Sequence, residues 1–316
     1  MRRAQLVGWM FLSAASILLT SCGTDRLAKA KSSIEGWPSV FRYNISLTQE
    51  NPEERARRVD LLRPYLQQQL GIPVEITATV SYGGAIEAMR AKKIEAASMG
   101  PFAYLIASEK AGAQAIAARG SADGSSGGYA GTLAVAAGSP IRSIQDLIHH
   151  AKDLTLSFVD PASASGYLVE RIYLDSIGVN PERDFKKVVF SSNHLASLMT
   201  LKAGKADVAA IEDYLPGVLA QRGKLKPGEI RTLWTSPRIP NSPVTVRGDL
   251  PEDFKKKVQD AFVEMSTKAP QVFKGIIAKN ARPATQDGSY VRVSDAAFDE
   301  LRKMARGVKQ VQLLDH

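Results

Sequence analysis

The sequence predicts an α/β protein made of two lobes, each built on a largely parallel β-sheet. Strand-like runs alternate with helical patterns along the chain, and this alternation is typical of βαβ units. Roughly 280 residues follow a polar segment that ends at Gly36, which is more than one hydrophobic core comfortably holds. Residues 85–97 and 196–209 resemble each other, since each predicts a helix, a basic turn and a short strand. Two similarly built lobes explain this likeness, and chance similarity of alanine-rich helices is the alternative.

The first half of the globular body predicts strands and helices in alternation. The strands are 41–47, 73–80 and 94–97, and the helices are 53–70, 82–90 and 102–112. Gly71 ends the first helix, while Pro64 inside it predicts a kink or a break. Residues 120–131 are rich in glycine and serine, which predicts a loop and a boundary between the lobes.

The second half continues the alternation and then returns to helices. Its strands are 132–137, 154–159, 188–190 and 207–211, and its helices are 144–151, 168–177, 194–203, 254–268, 270–277 and 296–308. Residues 234–243 contain three prolines, which predicts an extended crossing between the lobes. The predicted division is therefore residues 37–131 plus 242–316 for lobe 1 and residues 132–241 for lobe 2.

The N-terminal segment predicts export and a lipid anchor. Residues 1–21 join a basic start to an apolar run that is too short to span a membrane, as in a signal peptide. Leu19-Thr20-Ser21-Cys22 resembles a bacterial lipobox, which implies cleavage before Cys22 and attachment of lipid to it. An ordinary signal peptide is the alternative. Cys22 is the only cysteine, so no disulfide forms within the chain, and residues 22–36 predict a lipidated polar tether on the extracytoplasmic side of a membrane.

Charge and composition narrow the classes of ligand. The net charge is +9, and about +7 remains once Arg2 and Arg3 leave with the signal peptide. This excess suits an anionic ligand or membrane surface. Lysine and arginine are scattered without an aromatic-basic motif, so we expect no nucleic-acid partner. Neither a metal-ligand cluster nor a P-loop occurs in the sequence, so we expect no metal and no cofactor.

The most informative segment is the turn Asp-Pro-Ala-Ser-Ala-Ser-Gly at residues 160–166. It lies between a predicted strand and a predicted helix, so Ser163 and Ser165 occupy a helix N-terminus, whose free N–H groups carry partial positive charge. No acidic residue occurs from Ser163 to Leu168 to balance that charge. Two hydroxyls beside free N–H groups therefore suit a small external anion. The alternative is that one serine is an ordinary N-cap.

A serine nucleophile is a second interpretation of the same turn. It needs a base and an orienting acid, and the sequence contains no Gly-x-Ser-x-Gly elbow. Among the four histidines, only His194 lies between a predicted strand and a helix start. A secreted Ser/His hydrolase would therefore rest on one serine turn and His194.

The segment Asp160-Pro161-Ala162-Ser163-Ala164-Ser165-Gly166 resembles the Asp-Pro-x-Ser-x-Ser-Gly turn of the phosphate, phosphite and phosphonate binding components of ABC importers. Further segments with the same resemblance follow one order along the globular body: 66–74, 82–89, 100–104, 193–209 and 239–243. The resemblance implies the type II periplasmic binding protein fold, in which two α/β lobes are joined by two hinge-crossing segments and enclose the ligand. Those crossings would lie near residues 130–134 and 236–244.

The resemblance also implies which residues hold the oxyanion. The hydroxyls of Ser163 and Ser165 and the N–H group of Ala164 would bind its oxygens, and His194 would donate to another oxygen. For His194, a bond to a local carbonyl is the alternative. No reaction is implied, so we expect a binding protein and not an enzyme.

The resemblance places further ligand-binding residues around the oxyanion. Tyr82 would supply an aromatic ring from lobe 1, unless it only packs in the core. Met99 stands where the family commonly has another aromatic, so the substituent on phosphorus is predicted to differ from aminoalkyl. Glu212 or Asp213 would accept a hydrogen bond from a ligand hydroxyl or amino group, unless both are solvated. The resemblance thus implies a monomeric lipoprotein that captures a small phosphorus oxyanion for an ABC permease, and a sensor for a membrane receptor kinase is the alternative.

Overall fold

A computed structural model describes residues 34–46, 52–79, 81–121, 123–277 and 288–307. The predicted signal peptide, Cys22 and most of the predicted tether lie outside these residues. Within the described ranges, no helix combines the length and the apolar character that crossing a membrane requires.

Two mixed β-sheets form the framework of the protein. The first sheet consists of β1 (Phe41–Ser46), β2 (Val74–Thr79), β3 (Ala96–Ser98), β4 (Ala113–Arg119), β10 (Pro243–Arg247) and β11 (Tyr290–Arg292). The second consists of β5 (Gly131–Ala136), β6 (Thr155–Phe158), β7 (Lys187–Phe190), β8 (Val208–Glu212) and β9 (Ile230–Thr235). The strand orders are β11-β4-β10-β3-β1-β2 and β7-β6-β8-β5-β9. The sheets thus draw on residues 41–119 plus 243–292 and on residues 131–235, which is compatible with the lobe boundaries, still a prediction.

Helices pack around both sheets. They are α1 (Pro52–Leu70), α2 (Tyr82–Arg90), α3 (Pro101–Ala111), α4 (Ile144–His150), α5 (Val169–Ser176), α6 (Pro181–Asp184), α7 (His194–Lys202), α8 (Leu215–Gln221), α9 (Glu252–Val263), α10 (Met265–Lys268), α11 (Pro270–Ile277) and α12 (Asp299–Arg306). Helix α1 continues through Pro64, so the predicted break does not occur there. The aromatic rings of Phe41, Tyr43, Phe254 and Phe262 are buried together where α9 covers the first sheet, and this packing holds that helix in place.

The prediction of largely parallel sheets is wrong. β1 pairs in parallel with β2 and β3, and β6 pairs in parallel with β7 and β8. However, β10 is antiparallel to β3 and β4, and β5 is antiparallel to β8 and β9. The chain reaches β5 and β10 by crossing from the other sheet. The helical crossover that makes neighbouring strands parallel is therefore absent at these two strands.

The two crossing segments run side by side. Tyr129 and Ile239 exchange both backbone hydrogen bonds, with N···O distances of 3.0 and 2.8 Å. The N–H group of Gly131 donates to the Ser236 hydroxyl at 2.9 Å, and the N–H group of Ser236 donates back to the Gly131 carbonyl at 2.9 Å. Paired crossings of this kind leave the two sheets connected by a narrow hinge, beside which the serine turn lies.

Candidate functional site

The serine turn begins a π-helix, where the sequence predicted an ordinary helix N-terminus. Residues 164–168 form one wide helical turn, in which the N–H group of Val169 donates to the Ala164 carbonyl. α5 then continues directly from Val169. Upstream, the Asp160 carboxylate accepts from the Ala162 N–H group at 2.8 Å and so fixes the entry to the turn. Single π-turns are frequent at functional sites, because they alter which groups a helix presents.

Several donors converge at the start of this π-helix. The Ser163 hydroxyl accepts from the Gly166 N–H group at 3.1 Å, so Ser163 does act as an N-cap. No hydrogen bond joins the N–H groups of Ala164 or Ser165 to any other described residue, although both residues are buried. Buried backbone donors are nearly always paired in proteins. Two such donors, with two hydroxyls and a helix terminus beside them, are a binding arrangement for an anion.

Tyr82 approaches the serine turn from the first sheet, because it lies between β2 and β3 in the chain. It is the first residue of α2, is buried, and interacts through its hydroxyl with the Ser163 side chain. Burial, reinforced by the charge of Glu212, raises the pKa of the Tyr82 hydroxyl well above its usual value, so the phenol keeps its proton and remains a donor. A Cβ atom at Gly100 would lie 3.0 Å from the Tyr82 ring, so the ring packs directly on this glycine.

His194 lies against the serine turn from a second helix N-terminus. It begins α7, which Asn193 caps by accepting from the Ala196 N–H group at 2.8 Å. The imidazole is buried, and its Nε2 atom is 3.7 Å from the Glu212 carboxylate. A Cβ atom on Gly166 would lie 2.3 Å from Val159 and 3.1 Å from the imidazole. Glycine is therefore the residue that lets the turn approach the histidine this closely.

The remaining predicted residues divide into three positions. Met99 is buried directly after β3. It precedes Gly100, on which the Tyr82 ring packs. Glu212 ends β8 with only 5% of its surface exposed and faces His194. Asp213 is exposed, and its carboxylate accepts from the Ala130 N–H group of the first crossing at 3.2 Å. Of the two acids left open by the sequence, the structure brings Glu212 to the serine turn.

Sequence reasoning missed Tyr129, which the structure brings to the same place. The Ser165 hydroxyl donates to the Tyr129 hydroxyl at 3.4 Å, and the Tyr129 ring packs edge-on against Tyr214 at 6.1 Å. The available signal was a tyrosine at the end of a glycine- and serine-rich loop, just before a predicted crossing.

The described part of the chain brings no fixed cation into hydrogen-bonding contact with the serine turn. Among the described residues, no lysine or arginine side chain hydrogen-bonds with residues 160–166. Nor do histidine, cysteine and acidic side chains of the described ranges come together in a group of three or more suited to a metal ion. The positive potential that would attract an anion here therefore comes from neutral hydroxyls, N–H groups and two helix N-termini.

Comparison with known proteins identifies the family of this chain. A family model described as the periplasmic substrate-binding protein of a phosphonate ABC transporter matches residues 45–290. The phosphonates-binding periplasmic protein of Escherichia coli strain K12 is 33% identical over 249 residues, covering 79% of this chain and 73% of the relative. The phosphate-import protein PhnD of Mycolicibacterium smegmatis is 26% identical over 303 residues, or 92% of each chain.

Solved structures match the fold. The binding protein of an ABC phosphonate transporter from Pseudomonas aeruginosa has a TM-score of 0.73 at 26% identity, covering 84% of this chain and 85% of that one. PhnD1 from Prochlorococcus marinus, solved with methylphosphonate, has a TM-score of 0.71 at 19% identity, covering 85% and 98%. The predicted type II periplasmic binding protein fold is thus confirmed. With a family model that matches most of its length, the chain belongs to the family of periplasmic substrate-binding proteins of phosphonate ABC transporters.

Proposed function

We propose that this chain binds a small phosphorus oxyanion at the serine turn and presents it to an ABC permease. The observation that carries the proposal is the pair of buried N–H groups of Ala164 and Ser165, which bond to no other described residue. The ionised oxygens of an oxyanion accept hydrogen bonds, and N–H donors at a helix start are among the groups that bind them best.

Each of the residues around the serine turn has a proposed role in binding. The hydroxyls of Ser163 and Ser165 and the N–H group of Ala164 bind the oxyanion, and His194 donates to a further oxygen. Their burial supports this role, because a hydrogen bond to a charged group strengthens where water is excluded.

The side of the site that faces phosphorus substituents is proposed to be apolar. Tyr82 and Met99 form its wall, and Asp213, the other acidic candidate, is exposed and bonded to the first crossing. At Met99 an ammonium group on the ligand would meet a thioether, which offers it neither a charge nor an aromatic face. This supports compact or apolar substituents over aminoalkyl ones.

The named relatives indicate which ligands to test. One is named for phosphonates, one for phosphate import, and one was solved with methylphosphonate. We expect calorimetric titration with phosphate, phosphite, methylphosphonate and 2-aminoethylphosphonate to show one-to-one binding of at least one compact member, with 2-aminoethylphosphonate weaker than methylphosphonate. Absence of heat with all four ligands would contradict the proposal.

Catalysis is absent from the proposed function. The relatives are transport binding proteins. Nε2 of His194 lies 3.7 Å from the Glu212 carboxylate, and we propose that the imidazole holds the ligand and does not activate Ser163 or Ser165. The titrated ligand should accordingly be recovered unchanged. Turnover of a phosphate ester by the same preparation would favour the hydrolase instead.

A lipid anchor on Cys22 is proposed for the mature chain, which we also propose to be a monomer. The lipobox-like Leu19-Thr20-Ser21-Cys22 supports the anchor, and the family is periplasmic. Stable anchoring takes more than one acyl chain, which a diacylglyceryl cysteine supplies. In cells that express the protein, Cys22→Ser should abolish labelling by radioactive fatty acid and release the protein from the membrane fraction. Equal labelling of parent and variant would exclude Cys22 as the attachment site.

A further inference from the structure

We infer that Glu54 and Arg222 form a latch between the two lobes, which slows the release of the bound anion. The inference rests on the proposed function, because it concerns how the ligand leaves the site at the serine turn. It assigns a role in ligand binding to a charged pair outside the set of residues that are proposed to hold the anion.

The pair joins helices that belong to different sheets. Glu54 lies in the first turn of α1, which runs between β1 and β2 of the first sheet. Arg222 directly follows α8, which lies between β8 and β9 of the second sheet. The Nη1 atom of Arg222 is 3.6 Å from Oε2 of Glu54. Neither residue belongs to the crossing segments, so this contact links the two lobes at a place separate from the hinge.

The burial of the pair separates it from an ordinary surface ion pair. The side chains of Glu54 and Arg222 are only 13% and 16% exposed. Ion pairs between exposed side chains are screened by salt and stabilise proteins little, whereas partly buried pairs are screened much less. The attraction between Glu54 and Arg222 therefore persists at ionic strengths that weaken exposed pairs.

Each charge also suits the helix end at which it lies. Glu54 is at the N-terminus of α1, where the helix dipole favours a negative charge. Arg222 is at the C-terminus of α8, where the dipole favours a positive charge. When the lobes separate, water and the two helix ends continue to stabilise both charges. Opening therefore costs only the attraction between the two side chains, and this suits a contact that must form and break repeatedly.

A contact between the lobes acts on the release of the ligand more than on its capture. In the proposed two-lobed protein the ligand enters an open arrangement, in which Glu54 and Arg222 are apart, and release requires the lobes to open again. Interactions that exist only in the closed arrangement therefore lower the dissociation rate and leave the association rate nearly unchanged. Tyr82 supplies one such interaction within the site, because it follows β2 of the first sheet and interacts with Ser163, which follows β6 of the second. The ion pair supplies another and leaves the donors of the serine turn unchanged.

The test measures how fast radiolabelled methylphosphonate and radiolabelled phosphate leave the protein when an excess of the unlabelled ligand is added. Glu54→Gln and Arg222→Gln each remove one charge of the pair and should speed release roughly twofold to fivefold. The double variant should release the ligand no faster than the faster single variant, because its second substitution removes an interaction that is already lost. Calorimetry on the same proteins should give dissociation constants that rise in proportion to the release rates.

A matched variant separates the ion pair from the general effect of charge on an anionic ligand. Glu53→Gln removes the same charge from the neighbouring, exposed residue in the first turn of α1 and should release the ligand at the parent's rate. The latch is overturned, while the proposed function stands, if Glu54→Gln and Arg222→Gln bind the ligand and release it at the parent's rate. A double variant whose acceleration is the product of the two single effects would overturn it as well. If the parent binds neither methylphosphonate nor phosphate, the proposed function falls and the latch falls with it.

Discussion

Replacing Ser165 with aspartate is expected to abolish binding of every phosphorus oxyanion, while the fold survives. Ser165 is completely buried in the π-helix, and its hydroxyl points to the Tyr129 hydroxyl at 3.4 Å. An aspartate there places a fixed negative charge beside the N–H groups of Ala164 and residue 165. The charge is tolerated because a carboxylate at a helix N-terminus is stabilised by the helix dipole. The same carboxylate competes for the ligand's donors and repels the ligand.

The measurement is calorimetry with methylphosphonate and phosphate, together with a thermal melt. Ser165→Asp should give no detectable heat with either ligand and should still melt cooperatively. The matched variant Ser165→Ala removes one donor without adding charge. Since a hydrogen bond to a charged group contributes roughly 1.5–3 kcal/mol, it should weaken binding about tenfold to a hundredfold. Undiminished affinity in a folded Ser165→Asp protein would show that the anion binds away from the serine turn.

The sequence was most informative at the serine turn, where the types of the local residues alone indicated an anion. The absence of acids from Ser163 to Leu168 pointed to an anion at the start of a helix, and the structure places there buried N–H groups that bond to no other described residue. The π-helical form of that turn was not predictable. It depends on tertiary packing, in which the Gly166 carbonyl accepts from the Val159 N–H group at 2.8 Å and no side chain separates Gly166 from Val159.

Sheet topology was harder to predict, because it is decided by long-range pairing. Strand β4 escaped prediction since its sequence, Ala-Gln-Ala-Ile-Ala-Ala-Arg, has low intrinsic preference for strands. It is nevertheless held between β10 and β11 in the first sheet. Strand β10 likewise follows a proline-rich crossing, and nothing local in its sequence reveals an antiparallel position.

The choice between Glu212 and Asp213 shows a limit of a different kind. Successive side chains of a strand point to opposite faces, so an uncertainty of one residue in the strand reverses which acid reaches the site. The sequence predicted a strand over 207–211, whereas β8 spans Val208–Glu212. Only the register of β8 against β5, in which Glu212 lies opposite Gly131, decides the matter.

Replacing Glu170 with an apolar residue is expected to stabilise the protein, which is the second large effect. Its side chain is completely buried, and neither carboxyl oxygen hydrogen-bonds to a described residue. Burial raises the pKa of this carboxyl group well above its usual value, so the folded protein holds it protonated. A buried polar group without a partner costs about 1–3 kcal/mol. Glu170→Met, which has a similar shape and no polar oxygens, should therefore raise the free energy of unfolding by roughly that amount near neutral pH.

The contribution of Glu170 makes the free energy of unfolding fall as the pH rises. Below the usual pKa of 4.5, Glu170 is protonated in the folded and the unfolded chain alike. As the pH rises above that value, the unfolded chain releases the proton while the folded chain keeps it. The unfolded state then binds fewer protons, so the free energy of unfolding falls with pH until the folded pKa is passed. Glu170→Gln cannot titrate and should lack this part of the decline.

Urea unfolding of the parent, Glu170→Gln and Glu170→Met across the acidic to mildly alkaline range measures both effects. The gap between Glu170→Gln and the parent should widen as the pH rises from the usual glutamate pKa. Glu300→Gln provides the matched control, because Glu300 is exposed on α12 and, within the described ranges, pairs with Lys303 alone, so its removal should leave the parent's pH profile in place. Parallel profiles for the parent and Glu170→Gln would mean that Glu170 has the same protonation in the folded and the unfolded chain, and the carboxyl group beside Gly131 would then have to be charged or solvated in the native protein.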